Sequence, residues 1–368
     1  MNRDGFEFDL ITQRFLNNRW ETELGQKVLQ SVVDSLKTGG DARGVLDGYV
    51  LGHPENQDPY GHPIYPKDAM EEGRFWVLTQ DDLRGIHLYS EDFSGKTTFA
   101  KKSLNYARFH NCNFEGANLE QTSLTAATFE KCNLKDTCIA MSGGYETRFI
   151  DCDLTNVCFT QTYLEDTDFA GSTLEGAYFE LATLKNLTVN YATSFDKSLN
   201  RKWSTRTMPL EQVPDILKSI RIAYEKAEIW PLADEYLYFE RSENRKAKLW
   251  NTLKTDFRLS TLRIWLTDWL WFIFAGYGVK PGRVLTIGIL TAVLFALFYY
   301  FSGNPGPDSS FATSLYYSFT TFATLGYGDL HYMESQWVMR LISTFEALLG
   351  AALIAVFVAV MARKILRH

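Results

Sequence analysis

The sequence predicts a multidomain chain: a square β-coil, then an α-helical membrane part with two spans and a loop dipping between them. Three observations predict it. From Phe99 to Val189 a central residue recurs every five positions, and all but one are apolar. Two apolar runs, residues 284–301 and 341–361, stand near the end of the chain. Between them lies the loop Thr324-Leu325-Gly326-Tyr327-Gly328-Asp329.

Composition sets the outer bounds. The chain has 368 residues and a net charge of −7, which suits two or three units. Mean hydropathy is slightly negative, so the membrane part is a minority of the mass. The start, MNRDGFEFDL, is acidic and lacks an apolar core, so it does not read as a signal peptide. The N-terminal bulk is therefore expected in the cytosol. Five cysteines (Cys112, Cys132, Cys138, Cys152, Cys158) form no C-x-x-C pattern. An odd number in a reducing compartment argues against a disulfide framework.

Residues 1–80 read as a helical and loop cap. Leu24, Val28, Leu29, Val32 and Leu36 follow helical spacing until Gly39-Gly40 stops the helix. A Pro-punctuated loop follows, in which His53, Asp58 and His62 are candidate metal ligands or simply loop residues stiffened by prolines.

Residues 81–195 carry the five-residue repeat. Its central positions run Phe99, Leu104, Phe109, Phe114, Leu119 and onward, and only Gly144 breaks the apolar series. Two residues earlier in each unit the side chain is usually small, as at Ala107, Cys112, Ala117, Cys132 and Cys152. Leu83, Leu88 and Phe93 extend the series, with one residue inserted before Phe99. Neither the helical period of 3.6 nor the strand period of 2.0 gives five. A square coil with one repeat per side does, with central and small residues inward. Ala117-Asn118-Leu119, Cys132-Asn133-Leu134 and Cys152-Asp153-Leu154 resemble the motif of the pentapeptide-repeat family. That resemblance implies a right-handed quadrilateral β-helix with four repeats per turn. Phe109, Phe129, Phe149 and Phe169 then share one column, and Cys112, Cys132 and Cys152 another. The cysteine column reads as small buried thiols rather than a metal or redox site. Some members of that family mimic DNA, so an alternative reading is a membrane-tethered interaction protein or scaffold. Residues 81–195 hold 16 acidic and 9 basic side chains, too mild an excess for a DNA mimic, and no nucleic-acid partner is expected.

Residues 196–258 read as a helical coupling hairpin. Pro214 and Pro231 each sit where a helix can start, followed by the stripes Leu217, Ile220, Tyr224 and Leu232, Tyr236, Phe239. A basic run follows (Arg241, Arg245, Lys246, Lys248, Lys254, Arg258, Arg263), placed to face anionic lipid heads or simply solvent. Residues 259–280 include Trp265, Trp269, Trp271 and Tyr277 but also Asp268, and are short. That predicts an interfacial slide helix on the lipid bilayer rather than a third span.

Residues 281–368 form the two-span part. Residues 302–336 contain no Lys or Arg, whereas Lys280 and Arg283 precede the first run and Arg363, Lys364 and Arg367 follow the second. The positive-inside rule puts both termini in the cytosol and the loop outside, in the cell (inner) membrane. The loop resembles the selectivity filter of potassium channels, and its context resembles the two-transmembrane-helix pore of that family. The resemblance implies a homotetramer passing K⁺. A dehydrated K⁺ needs oxygens on all sides, and one chain supplies one wall. The coordinating groups are then the carbonyls of Thr324, Leu325, Gly326 and Tyr327 with the Thr324 hydroxyl. Gly326 and Gly328 tolerate the positive φ that carbonyls pointing to one axis require. The resemblance assigns Tyr316 and Tyr317, on a pore helix over residues 311–323, to a cuff around Tyr327, tied to Asp329. It places His331 at the outer mouth and Gly350 at an inner-helix hinge, with close helix packing as the other reading. Ile354, Val358 and Met361 follow as cavity and gate residues. Leu325 replaces the commoner Val, Ala323 and Thr320 stand where many members have Thr or Glu, and Tyr332 replaces a usual Pro. Glu346, a carboxyl inside a span, is expected to bond Thr320 or Thr321, as a strut or as a titrating gate. No Ser/His/Asp arrangement, P-loop or GxGxxG fingerprint appears, so no enzyme is predicted. The gating ligand stays open.

Overall fold

A computed structural model describes residues 16–18, 20–21, 23–40, 45, 83–95, 97–196, 202–203, 206–207, 209, 211–254, 259–303 and 310–367. His53, Asp58 and His62 lie outside the described residues, as do the side chains of Lys254, Arg258, Arg263 and Trp265. The chain divides into two units, Met1–Tyr236 and Leu237–His368.

The first unit is a parallel β-solenoid of about five turns. Strands β1 (His87–Tyr89), β2 (Arg108–His110), β3 (Thr128–Glu130) and β4 (Arg148–Ile150) stack as one parallel sheet. Phe109 pairs with Phe129 and Phe129 with Phe149, one turn apart in each case. Leu88 pairs with Phe109, one residue further on, which absorbs the insertion before Phe99. β5 (Tyr163–Glu165) pairs with β7 (Thr183–Lys185), and β6 (Thr173–Leu174) with β8 (Ser194–Phe195). Two short strands, β9 (Lys202–Trp203) and β10 (Arg206–Thr207), pair antiparallel beyond the coil.

The five-residue period has a backbone cause. The second residue after each central position takes left-handed dihedrals: Lys101, Tyr106, Gln121, Lys131 and Asp151 have φ of 60°, 60°, 57°, 54° and 52°. Such a residue costs roughly 1–2 kcal/mol when it carries a β-carbon. The gain is direction. Each corner N–H points along the coil axis and donates to the next turn, as Gln121 N does to Ala140 O at 2.9 Å and Lys131 N to Ile150 O at 2.9 Å. Inside, Phe109, Phe129, Phe149 and Phe169 stack face to face at 4.8, 5.2 and 5.5 Å. Those separations match the inter-strand spacing, so one repeat of the coil is one ring thickness. Gly144 leaves room for a neighbour: a β-carbon there would lie 2.9 Å from Leu164 Cδ2.

The positions read as small hold a second pattern. Where they carry a hydroxyl, it donates to a carbonyl of the preceding turn: Thr137 to Phe114 O (2.8 Å), Ser142 to Leu119 O (2.9 Å), Thr147 to Leu124 O (2.8 Å) and Ser172 to Phe149 O (2.8 Å). Cys132 and Cys152 use their thiols in the same way, on Phe109 O and Phe129 O. Contact with the Cys132 thiol and burial both raise the Cys112 thiol above its ordinary value. A protonated, buried thiol is inert, in keeping with a structural ladder. The five cysteines are free.

Both ends of the coil are covered within this unit. At the start, the Trp20 indole donates to Arg84 O at 2.8 Å, and helix α1 (Glu23–Lys37) buries Leu29, Val32, Val33 and Leu36. At the end, helix α2 (Val213–Lys226) brings Tyr224, and helix α3 (Trp230–Lys254) brings Tyr236. Their hydroxyls donate to Thr193 O (2.7 Å) and Phe195 O (2.9 Å), carbonyls of the last turn that have no further turn to meet. The two rings stack at 5.4 Å. Leu217 and Ile220 are buried beside them.

The second unit begins within α3. Helix α4 (Leu259–Ala275) ends in a 3-10 corner, Gly276–Gly278, and helix α5 (Pro281–Ser302) follows. Helix α6 (Phe311–Phe322) and helix α7 (Trp337–Leu366) complete it. Among the described residues, α5 and α7 are the two helices long and apolar enough to cross a membrane. On α4, Leu266, Trp269, Leu270 and Trp271 are all exposed.

Candidate functional site: the loop between the two spans

Helix α6 aims the loop. Ser310 caps it, accepting from Thr313 N at 3.1 Å, a cap that its place before an apolar run makes readable. The helix then unwinds onto itself: Leu325 N and Gly326 N donate to Thr320 O at 2.9 and 3.4 Å, and Thr324 N to Thr321 O at 3.0 Å. Thr320 thus anchors the loop by its carbonyl, while its hydroxyl turns back to Tyr316 O and Tyr317 O. Backbone sign alternates beyond this point, with φ of +55° at Thr324, +48° at Gly326 and +78° at Gly328. Residues 324–329 are all exposed in the single chain, Leu325 by 59% and Tyr327 by 67%.

The tyrosine pair splits. Tyr316 OH donates to Asp329 Oδ2 at 3.0 Å, so the pore helix and the end of the loop are joined within one chain. Tyr317 faces the other way. It is buried, donates to Ser343 Oγ at 3.0 Å and packs on Tyr299 and Tyr332. Consecutive helical residues point about 100° apart, so the two cannot face the same partner in one chain. Tyr332 explains itself here: its ring meets Tyr299 and Tyr317, and its hydroxyl donates to Gly303 O at 2.9 Å, closing the end of α5.

Glu346 sits on α7 and is fully buried. The partners expected for it, Thr320 and Thr321, are not its partners. It instead accepts from Tyr299 OH at 2.6 Å and contacts the Ser318 hydroxyl, which also lies 2.7 Å from Ala292 O. Two and three residues separate the two answers on α6: Thr320 turns its hydroxyl back to its own helix, whereas Ser318 lies on the face packed against α5 and α7. The sequence signal was present, since Ser314 and Ser318 repeat at helical spacing and both are fully buried.

Gly350 is buried at the crossing of α7 and the end of α6. A β-carbon there would lie 2.1 Å from Phe322 O and 2.8 Å from Phe322 C. The helix runs unbroken through Gly350, so what the structure requires of it is close approach. Ile354 and Val358 are exposed on α7, Met361 is half-buried and His331 is exposed. Ile354 lines an apolar cleft of about 110 Å³ with Gly288, Phe322 and Leu353. No group of three His, Cys, Asp or Glu side chains suited to a metal occurs among the described residues.

Comparison with known proteins finds matches to both parts of the chain. The family model described as "Ion channel" matches residues 287–367, and the model for pentapeptide repeats matches eight copies over residues 103–139 and 147–186. Neither is an enzyme family. Among solved structures, the pentapeptide repeat protein Rfr23 from the cyanobacterium Cyanothece 51142 shares 21% identity, over 31% of this chain and 88% of its own, with a TM-score of 0.26. A pentapeptide repeat protein of the Arabidopsis thaliana thylakoid lumen shares 22%, over 29% and 71%, with a TM-score of 0.17. HetL, from Nostoc sp. strain PCC 7120 and involved in heterocyst differentiation regulation, shares 16%, over 32% and 73%, with a TM-score of 0.16. No curated protein matches significantly.

Proposed function

We propose that this ion-channel domain forms, with three further copies, a potassium-selective pore whose filter is the loop 324–329, and that the pentapeptide-repeat unit regulates its opening or assembly. The observation that carries the reading is the alternation of backbone sign at Thr324, Gly326 and Gly328 in a loop that reads T-L-G-Y-G-D. Alternation turns successive carbonyls toward one side, where the carbonyls of Thr324, Leu325, Gly326 and Tyr327 replace hydration water. The Thr324 hydroxyl donates its proton to Ala323 O at 2.7 Å, which leaves its oxygen lone pairs for an ion. Non-helical backbone at membrane depth is tolerated where it lines a hydrated path. The exposure of Leu325 and Tyr327 supports the tetramer, because neighbouring copies would cover both side chains. Tyr316 and Asp329 brace the outer filter. Met361, Val358 and Ile354 face the inner path, and both termini lie in the cytosol.

The test is flux. Purified protein in liposomes passes K⁺ far faster than Na⁺, and Ba²⁺ blocks it. Equal permeation of the two ions would refute the assignment of the filter.

A further inference from the structure

Two of the five cysteines stand outside the inward ladder. Cys112, Cys132 and Cys152 lie two residues before a central position, whereas Cys138 and Cys158 lie one residue before Ile139 and Phe159. One residue along a β segment reverses the face, so this pair belongs to the outer wall of the coil. The coil sets the two opposite each other: Cys138 and Cys158 form a parallel bridge, one turn apart. Backbone bonds pin the pairing on both sides, Ile139 N to Cys158 O at 2.8 Å and Cys158 N to Thr137 O at 3.0 Å. Adjacent strands lie about 4.7–4.9 Å apart. A disulfide needs its two Cα atoms about 4.4–6.8 Å apart. The backbone spacing of the coil falls within that range.

The inward thiols share this spacing but not its surroundings. All three are buried, and each contacts a carbonyl of the preceding turn: Leu88 O, Phe109 O and Phe129 O. Cys138 is only half-buried, and Cys158 is enclosed next to it. Cys138 Sγ lies 3.3 Å from Glu120 Oε1, and Cys158 Sγ lies 3.1 Å from Thr160 Oγ1. The two thiols also contact each other. That contact lowers the Cys158 thiol below its ordinary value, helped by the Thr160 hydroxyl and N–H. The same contact, burial and the Glu120 carboxylate raise Cys138. The pair therefore sheds one proton readily and shares the other. A thiolate beside a solvent-facing thiol is the arrangement that oxidants attack.

We propose that Cys138 and Cys158 are a peroxide-oxidisable pair, closing to a disulfide that staples two consecutive turns of the coil. The shared proton passes to Cys158, and the open sulfur of Cys138 attacks a hydroperoxide. An S–O bond forms, the O–O bond breaks, and the leaving oxygen takes a proton and departs as water. Cys138 is then a sulfenic acid, oxidised by two electrons. Cys158 attacks that sulfur, the S–S bond forms, the S–O bond breaks, and the hydroxide leaves with the Cys158 proton as a second water. Two thiols and one hydrogen peroxide thus give one disulfide and two waters. In the reducing compartment expected for this unit, such a bond is transient and reports oxidant. The proposal does not rest on the reading of the pore, and a non-selective pore would leave it standing.

The test is thiol mapping. Full-length protein, purified under reduction and desalted, is exposed to graded hydrogen peroxide. It is then denatured in N-ethylmaleimide, digested and read by mass spectrometry with and without reductant. Cys152 and Cys158 share the tryptic peptide 149–185, so fragmentation assigns the linked sulfur. Cys138 and Cys158 should be lost together as one intramolecular link, while Cys112, Cys132 and Cys152 stay reduced and take the label. C158S should abolish the link and leave Cys138 as a sulfenic acid trapped by dimedone. C138S should leave Cys158 reduced. Equal oxidation of all five cysteines, a link between two chains, or Cys138 driven to sulfinic acid in wild type without a link would overturn the proposal. The wild-type map decides this without any variant, so a variant that fails to fold does not leave the question open.

Discussion

Replacing Gly350 with alanine separates two roles that one glycine can play in a span. An added β-carbon would approach Phe322 O to 2.1 Å, Phe322 C to 2.8 Å and Phe322 Cα to 3.0 Å. Ordinary contact lies more than 1 Å further out for the carbonyl oxygen. The obstacle is backbone, so no side-chain rotation relieves it, and either α7 or the end of α6 must shift by about 1 Å. Phe322 stands two residues before Thr324, and a functional constellation tolerates displacements of only about 0.5 Å. Alanine gains about 1 kcal/mol of helix propensity. Overpacking costs about 1–3 kcal/mol, with the upper end apt where backbone is the obstacle. The expected outcome is a net destabilisation of about 1–2 kcal/mol together with reduced preference for K⁺ over Na⁺. Thermal unfolding of the purified protein and the reversal potential under K⁺/Na⁺ gradients read these two effects. If Gly350→Ala were as stable as wild type, kept full selectivity and changed only open probability, the glycine would act as a hinge and the close-approach argument would fail.

The other predictions use the same contacts. Glu346→Gln should assemble and conduct, because an amide still accepts from Tyr299 and donates to Ser318. Glu346→Ala takes the acceptor from the Tyr299 hydroxyl, whereas Ser318 keeps Ala292 O, and should lower the melting temperature by several degrees, at about 1–3 kcal/mol for the one orphaned group; equal melting of the two variants would contradict the strut. Burial pushes the Tyr224 and Tyr236 phenols above their ordinary range. Their folded forms hold the proton where the unfolded chain has lost it, so their contribution is full below about pH 10 and declines as pH rises through the unfolded value. Denaturant midpoints measured from pH 8 to 11.5 should fall above pH 10, less steeply in Tyr224→Phe and Tyr236→Phe. At pH 7 each of those variants should lose about 0.5–1.5 kcal/mol by breaking one hydrogen bond while keeping the ring. Gly326→Asp should abolish K⁺ flux while the oligomer persists on a sizing column; flux at wild-type rates would place the filter elsewhere.

The sequence by itself determined whatever is periodic or local. A five-residue repeat of apolar centres admits a square coil and little else, because side chains at that spacing reach a common interior only when each repeat turns a corner. The helix start at Pro281 and the glycines of the loop follow from dihedral preference, and the start after Ser310 from a side-chain cap. The tertiary structure decided what depends on which faces meet. The hydroxyls at the inward positions were legible as small but not as a ladder, since their carbonyl partners lie a full turn of the coil away. Tyr316 and Tyr317 are adjacent in sequence, yet one braces Asp329 and the other joins a buried cluster, because a helix turns neighbours about 100° apart. Ser318, not Thr320 or Thr321, meets Glu346 for the same reason: spacing along α6 gives a set of faces, and only packing against α5 and α7 selects one.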